Sequence, residues 1–411
     1  MSAAAPAPLG RLLRQGAFLR FWLARCLGLT AHQMLMLAVS WYVYDLTGSA
    51  MDLGWVGLIQ FVPALLMTLP AGHVVDRHHR ARVFALCLAV QAVVALVLLV
   101  SVEEQRIGRE LVFVLAAVLG IVRAFQMPAQ QAITPALVPP ELLQRAIALS
   151  SSGVQASVIG GPALGGLIYA LSPAAVYGAC VALLTLGTVL TLTVTYRHVP
   201  STQTASWDSA LAGLRFVWHR KDLLGAISLD LFAVLLGGAT ALLPIYARDI
   251  LHTGPEGLGM LRAAPAVGAL AMSLWLARWP LQRHVGRKLL GAIAVFGLAT
   301  LVFGVSEHVG LSLLALAVTG AADNVSVVIR LTLLQLETPD DMRGRVSAVN
   351  GIFIGASNQL GEFESGATAA WLGPVGSVVL GGVGTLLIAL SWRHAFPGLA
   401  RRDRLEKTPH P

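Results

Sequence analysis

Long apolar runs separated by short polar segments dominate this chain of 411 residues. A helix needs about 20 mostly apolar residues to cross a bilayer, and twelve stretches approach or exceed that length. They are 18–44, 51–73, 83–102, 111–128, 146–170, 174–196, 223–247, 257–277, 289–306, 311–336, 346–371 and 375–393. No stretch has the character of a strand. The pattern predicts an all-α membrane protein with twelve transmembrane helices.

The two halves of the chain are related by an internal repeat at an offset of 200 residues. Segment 119–123 aligns with segment 319–323, and the register continues without gaps over roughly fifty residues. Further pairs in this register are Pro139/Pro339, Arg145/Arg345, Ala148/Ala348, Ser157/Ser357, Gly161/Gly361 and Gly166/Gly366. A duplicated chain with many spans is typical of secondary transporters, so we predict two pseudo-symmetric six-helix halves.

The spans and the polar segments between them predict a domain organisation. We place the first half at 1–196, a cytoplasmic linker at 197–222, the second half at 223–393 and a cytoplasmic tail at 394–411. The linker contains an amphipathic stretch that we expect to form a surface helix. We expect the basic, polar tail to lack regular structure.

The orientation follows from the distribution of lysine and arginine, which favour the cytoplasmic side. With the N-terminus inside, 22 of the 29 basic residues fall on the inner side. Three fall outside, namely Arg106, Arg109 and Arg248, and four lie within spans, namely Arg25, Arg123, Arg262 and Arg330. We therefore predict a multi-pass protein of a bacterial-type plasma (inner) membrane with both termini in the cytoplasm.

Composition supports a membrane protein and argues against several other classes. Apolar residues make up 56% of the chain and charged residues 12%, whereas soluble proteins carry about 25% charge. The net charge of +8 is confined to short clusters between spans, so we expect no nucleic-acid partner. The three cysteines lie in apolar stretches without metal-ligand spacing. We predict no cofactor, no metal site and a monomer in the bilayer.

A charged loop between the second and third spans carries a recognisable motif. Gly72, Asp76, Arg77 and Arg80 match the loop motif of the major facilitator superfamily, which this segment resembles. His79 replaces the second glycine of the motif, and its last base is displaced to Arg82. Gly72 lets two helices approach closely. An acid at the position of Asp76 can latch to basic groups or to a helix N-terminus when the inner gate is shut. The motif therefore predicts a conformational gate.

The fifth span contains a glycine-rich motif. Gly161, Pro162, Gly165 and Gly166 resemble the antiporter motif of exporters in the same superfamily. Gly153 and Ser157 extend the small residues at a spacing of four, which makes one stripe on which another helix can pack closely. Pro162 frees a backbone carbonyl and permits a bend.

Further fragments, at 46–49, 128–129, 323–324 and 339–346, resemble the subgroup that contains the enterobactin exporters and related efflux proteins. The resemblance implies the major facilitator fold and a secondary exporter with alternating access. It also implies a small amphipathic substrate, such as a drug or a siderophore-like metabolite, exchanged for protons. A carboxyl group that burial shifts toward its neutral form can carry such a proton.

Six polar residues deep in the spans are predicted to line the substrate cavity or to couple protons. They are Arg123, Asp230, Asp323, Arg330, Asn358 and Glu362. Arg123 and Asp323 occupy the same repeat position, and each lies about 18 Å into a core of about 30 Å. Glu362 replaces the proline of the other half and shares a helix face with Asn358, whereas Glu364 points away.

Structural alternatives exist for these groups. Arg123 could hold backbone carbonyls, Asp323 and Arg330 share a face and could form a static ion pair, and Glu362 could be the fixed partner of an arginine. Three more polar residues could touch substrate or hydrogen-bond inside the bundle: His32, Gln33 and Gln155.

Other functions are compatible with parts of this pattern. An importer on the same fold is one alternative, and a receptor or scaffold that transports nothing is another, although a scaffold has no need of deep acids. A membrane-embedded enzyme lacks support, because no nucleophile triad and no metal-binding His-Glu motif is present. Direct nucleotide hydrolysis is not expected without a phosphate-binding loop.

Overall fold

The computed structural model describes residues 9–105, 108–196, 207–339 and 342–405, and these residues contain helices and no strand. The α-helices are α1 (Leu9–Leu13), α2 (Gly16–Thr47), α3 (Ala50–Arg77), α4 (Arg80–Glu103), α5 (Arg109–Ile133), α6 (Pro140–Leu171), α7 (Pro173–Leu192), α8 (Trp207–His219), α9 (Lys221–Gly237), α10 (Leu243–Ile245), α11 (Pro255–Arg278), α12 (Val285–Val305), α13 (Val309–Glu337), α14 (Arg343–Ala395) and α15 (Pro397–Arg401). Eleven helical segments of the described residues are long and apolar enough to cross a membrane.

The longest helix, α14, contains two spans. Gly373 has φ 75° and ψ 165°, which is outside the helical region. On the two sides of this break, Ser377 Oγ donates a hydrogen bond to the Ser365 carbonyl at 3.0 Å, whereas twelve residues of straight helix would separate them by about 18 Å. The chain therefore turns back on itself at Gly373, between the predicted spans 346–371 and 375–393, and the layout agrees with twelve spans.

The chain forms two compact units. The first consists of Met1–Val39 and Val62–Ala205, and the second consists of Ser40–Phe61 and Ser206–Pro411. The end of α2 and the start of α3 thus belong to the unit that contains α8–α15. The predicted division into two halves, a linker and a tail was drawn from the spans and the sequence repeat. The compact units do not test it, so it stays a prediction.

In the first unit, the small-residue stripe of α6 packs on α2. A Cβ atom at Gly161 would lie 2.6 Å from the Cβ of Gln33, and one at Gly165 would lie 2.9 Å from the Cα of Met34. Pro162 is buried beside them. The predicted close approach of another helix to this stripe is confirmed.

The second unit repeats this packing 200 residues later in the chain. A Cβ atom at Gly361 would lie 2.9 Å from the carbonyl oxygen of Leu235 on α9. Four residues further along α14, Ser365 Oγ donates to the carbonyl of Gly238 at 3.1 Å. Gly161 and Gly361 are equivalent in the sequence repeat, and their packing is equivalent too. Each lies where the helix that carries it, α6 or α14, packs on the first spanning helix of its half, α2 or α9.

The linker and the tail both pack on the second unit. The predicted amphipathic helix is present as α8, and its Val217 is 1% exposed within a core cluster that also contains Leu399 of α15, likewise 1% exposed. The expectation that the tail lacks regular structure is wrong for residues 394–401, which include the end of α14 and α15; buried Leu399 and the ion pair of Arg402 with Glu337 anchor them. Residues 197–206 of the linker and 406–411 of the tail lie outside the described residues.

Candidate functional site

The seventh span is interrupted in its middle. α9 ends at Gly237, Gly238 has φ −76° and ψ 64°, and the chain continues as a 3-10 turn, Ala239–Leu242. A Cβ atom at Gly237 would lie 2.5 Å from Phe296 Cε1 on α12, so the break lies where a neighbouring helix approaches closely. Non-helical backbone at membrane depth is tolerated where it is buried in protein or lines a cavity. The predicted span 223–247 is therefore present, but it is not one regular helix.

A cavity of about 310 Å³ lies at this break, inside the second unit. Its polar lining comes from one turn and four helices: Thr240, Arg262, Thr300, Thr319, Asp323, Asn358 and Glu362. Its apolar lining includes Val234, Leu243, Phe296, Phe303 and Leu316. A pocket with mostly apolar walls and a few convergent polar groups is the usual form of a small-molecule site. Asp323, Asn358 and Glu362, which the sequence predicted, are thus brought together.

Asp323 and Asp230 lie in different surroundings, although both are acids within spans. Arg330 Nη1 donates to the carboxylate of Asp230, and both side chains are buried. Ser326 Oγ donates to Asp230 at 3.5 Å. Among the residues that the structure describes, Asp323 makes no hydrogen bond or ion pair. Arg330 therefore pairs with Asp230, and the alternative of a static pair between Asp323 and Arg330 does not match the structure.

Glu362 faces an arginine that the sequence analysis noted only as a basic residue within a span. Its carboxylate lies close enough to Arg262 of α11 for their charges to interact, and it packs against Gly57, where a Cβ atom would lie 2.6 Å from Glu362 Oε2. Arg262 Nη2 donates to Ser40 Oγ at 3.0 Å. The position of Arg262 inside an apolar span was the signal that could have marked it as a cavity residue.

Arg123 belongs to the first unit, whereas the residues that line this cavity belong to the second. Its side chain is exposed, and within the described ranges it forms no hydrogen bond or ion pair, so the carbonyl-holding alternative has no contact to support it. Its charge interacts with His32 of α2. One turn along α5 from Arg123, Gln126 Oε1 accepts a hydrogen bond from Gln91 Nε2 at 2.8 Å.

The predicted gate motif forms the turn between α3 and α4 in the first unit. Asp76 Oδ1 lies 3.7 Å from Arg80 Nη2, and Arg80 Nη1 donates to the Ala132 carbonyl at 3.5 Å. Arg77 and Arg82 are exposed. Gly72, also part of the motif, is half-buried one turn before Asp76. The motif is a basic turn whose acid has a local partner.

The segment Ser40–Phe61 makes a second set of polar contacts, in the second unit. The Tyr44 hydroxyl donates to Asp249, and Arg248 Nη1 donates to Asp45 Oδ1 at 2.8 Å. These pairs join residues about 200 positions apart in the chain, so no local spacing in the sequence could have indicated them.

The sequence model of the Major Facilitator Superfamily matches residues 21–361. The chain belongs to the major facilitator superfamily. The resemblance of its loop and glycine motifs to that family is confirmed, and the twelve-helix architecture agrees with it. A member of this superfamily with these spans is a multi-pass transporter that moves a small molecule across a lipid bilayer.

Relatives with named functions extend along most of the chain. Macrolide efflux protein A of Streptococcus pyogenes is 24% identical over 390 residues, which cover 91% of this chain and 94% of the relative. The enterobactin exporter EntS of Citrobacter koseri is 27% identical over 396 residues, which cover 93% of this chain and 92% of the relative. A crystal structure of a bacterial homologue of the human lysosomal transporter Spinster matches with a TM-score of 0.74 at 14% identity, covering 99% of this chain and 100% of that one. At that identity the structural likeness shows the fold.

Proposed function

We propose that this transporter exports a small amphipathic molecule, such as a drug or a siderophore-like metabolite, in exchange for protons. The named relatives that match it over most of its length are efflux proteins. The observation that carries the proposal is the cavity of about 310 Å³ at the break after α9, which contains the carboxylates of Asp323 and Glu362. Discontinuous helices at membrane depth are typical of substrate and coupling-ion sites in secondary transporters.

Asp323 is the first candidate for the proton carrier. It lines the cavity without a hydrogen bond or ion pair from any described residue, so its protonation would break no existing contact. Asp230, in contrast, is held by Arg330 in a buried pair, and a buried pair is costly to break. Glu362, next to Arg262, is the second candidate, because movement of that arginine would change its charge environment.

Alternating access requires contacts that form on one side of the membrane and break on the other. With both termini in the cytoplasm, the turn that contains Asp76 and Arg80 belongs to the inner gate. The contacts of Arg248 with Asp45 and of Tyr44 with Asp249 then belong to the outer gate. We propose that the contacts of the inner gate and those of the outer gate break alternately. The proton then reaches the cavity from the outside and leaves it toward the cytoplasm.

Transport into inverted membrane vesicles tests this function. A panel of amphipathic drugs and catecholate siderophores should include a compound that accumulates when the lumen is acidic, because the lumen of such vesicles corresponds to the cell exterior. Asp323→Asn should abolish this accumulation at equal protein level. Glu364→Gln is the control, since Glu364 is another acid within a span, on α14, and does not line the cavity; it should retain accumulation. Accumulation only in right-side-out vesicles would indicate an importer, and accumulation that ignores the pH gradient would contradict proton exchange.

A further inference from the structure

The two units differ in the acids within their membrane-spanning helices: the second unit has both acids and arginines at depth, whereas the described residues of the first unit have only basic groups there. The described carboxylates of the first unit all lie at or next to helix ends: Asp76, Glu103, Glu104, Glu110 and Glu141. Within α2 and α5, away from those ends, the same unit has Arg25, His32 and Arg123. The second unit has acids at that depth, among them Asp323. No acid of its own unit therefore neutralises Arg123 among the described residues.

Arg123 is the most exposed of these basic groups. It is near the middle of α5 (Arg109–Ile133), about 21 Å along the helix from its first residue. Its side chain is exposed, and the described part of the chain offers it no hydrogen bond or ion pair. A charged side chain at membrane depth is costly and normally faces a functional cavity or a partner. The guanidinium is therefore available to a ligand.

The neighbours of Arg123 supply further polar groups on the same side of α5. Gln126 is three residues further on, so it shares a face with Arg123. The hydrogen bond of 2.8 Å from Gln91 Nε2 to Gln126 Oε1 uses the Gln126 carbonyl oxygen and leaves its NH₂ group to donate elsewhere. His32 lies close enough to Arg123 for their charges to interact. Gln91, which holds Gln126, is itself 1% exposed.

We propose that Arg123, together with Gln126 and His32, forms an anion subsite in the first unit, and that the transported molecule is an amphipathic organic acid. A guanidinium presents a planar fork of N–H donors that matches a carboxylate in a bidentate arrangement. The Gln126 NH₂ group adds a donor whose orientation is fixed by Gln91. The negative group of the substrate, a carboxylate or a phenolate, binds at Arg123. The inference rests on the proposed transport of small molecules and adds to it the chemical class of the cargo.

Binding of two probes of equal shape tests the subsite without any gradient. The protein in nanodiscs of zwitterionic lipid is titrated with naphthalene-2-carboxylate and with 2-naphthamide, and binding is followed by thermophoresis. A charge-assisted bidentate pair should make the carboxylate bind at least about tenfold more tightly than the amide. Arg123→Gln should remove this preference and leave amide binding within about twofold. Arg109→Gln, at the end of the same helix, removes the same charge and should keep the preference.

A second variant separates charge from fold. Arg123→Lys retains the positive charge but loses the fork, so it should keep part of the carboxylate preference even if Arg123→Gln is unstable. Three results would overturn the subsite: a parent that does not prefer the carboxylate or does not bind it, an Arg123→Gln protein that keeps the preference, or an Arg123→Lys protein that loses affinity for both probes equally. This binding test uses no proton gradient, so its outcome is independent of the transport test. The preference for the carboxylate can be present when proton exchange is absent, and proton exchange can be present when the preference is absent.

Discussion

Arg330 donates a hydrogen bond to the carboxylate of Asp230, and the two side chains are 3% and 4% exposed, respectively. This pair joins α13 to α9 inside the second unit. It distinguishes the acids of the spans, because Asp230 has a fixed partner while Asp323, seven residues before Arg330, lines a cavity. The pair is a structural element, and the acid in the cavity is the candidate for function.

The first prediction concerns the stability of this pair. Asp230→Asn should leave the Arg330 charge buried without compensation and lower the free energy of unfolding by about 3–5 kcal/mol. Thermal unfolding of the detergent-solubilised protein measures the loss. Asp323→Asn is the matched control and should change stability by less than about 1 kcal/mol, since it removes no described ion pair. Equal stability of the two variants would show that the buried pair contributes nothing.

A second prediction concerns the contact between α6 and α2. Gly161→Ala should destabilise the protein by about 1–3 kcal/mol, because the new Cβ would overlap Gln33 and overpacking costs that much. Gly160→Ala adds the same atom one residue earlier, where nothing lies within 4 Å, and should be tolerated. Thermal unfolding of both variants is the measurement. If Gly160→Ala were as harmful as Gly161→Ala, the effect would come from helix propensity or lipid contact and not from packing.

The third prediction concerns the inner gate. Asp76→Asn removes the acid that lies 3.7 Å from Arg80 without removing any buried side chain. Transport in inverted vesicles should fall at least severalfold, while the membrane level and the unfolding temperature stay near those of the parent. Glu103→Gln, an exposed acid at the end of α4, is the control and should transport normally. Normal transport by Asp76→Asn would mean that Asp76 is only a solvated acid of the turn.

A fourth prediction concerns the outer gate. Asp45→Arg should lower transport, because it places a second cation beside Arg248, whose Nη1 lies 2.8 Å from Asp45. The exchange of both charges, Asp45→Arg with Arg248→Asp, should restore transport toward the parent rate. Both side chains are about half exposed, and exposed pairs contribute only about 0–1 kcal/mol, so we expect a severalfold effect and not a complete loss. A double variant that is no better than the single one would contradict a direct role of the pair.

The sequence predicted the elements that depend on local composition. Hydropathy alone located twelve spans, including the turn near Gly373, because a bilayer requires long apolar segments. The repeat at 200 residues placed Gly161 and Gly361 at equivalent positions, and the structure gives them equivalent packing.

The features that the sequence missed depend on partners distant in the chain. The spacing on one helix suggested that Asp323 could pair with Arg330, but the partner is Asp230, 100 residues earlier in the chain. The break after Gly237 depends on Phe296 and on the hydrogen bond from Ser365 to Gly238, which no local pattern shows. The tail was expected to lack structure because it is basic and polar, yet burial of Leu399 and the ion pairs of Arg402 with Glu337 and Asp222 anchor it.

The most direct test of the account is substrate-induced proton release from the solubilised protein. In weakly buffered detergent solution, addition of a transported compound to the parent should release protons, detected with a pH-sensitive dye, while substrate affinity is measured in parallel. Asp323→Asn should bind the compound and release none, Glu362→Gln should release fewer than the parent, and Glu364→Gln should release protons like the parent. If Asp323→Asn and Glu362→Gln both released protons like the parent, neither cavity acid would be the carrier, and the proposed coupling would be wrong.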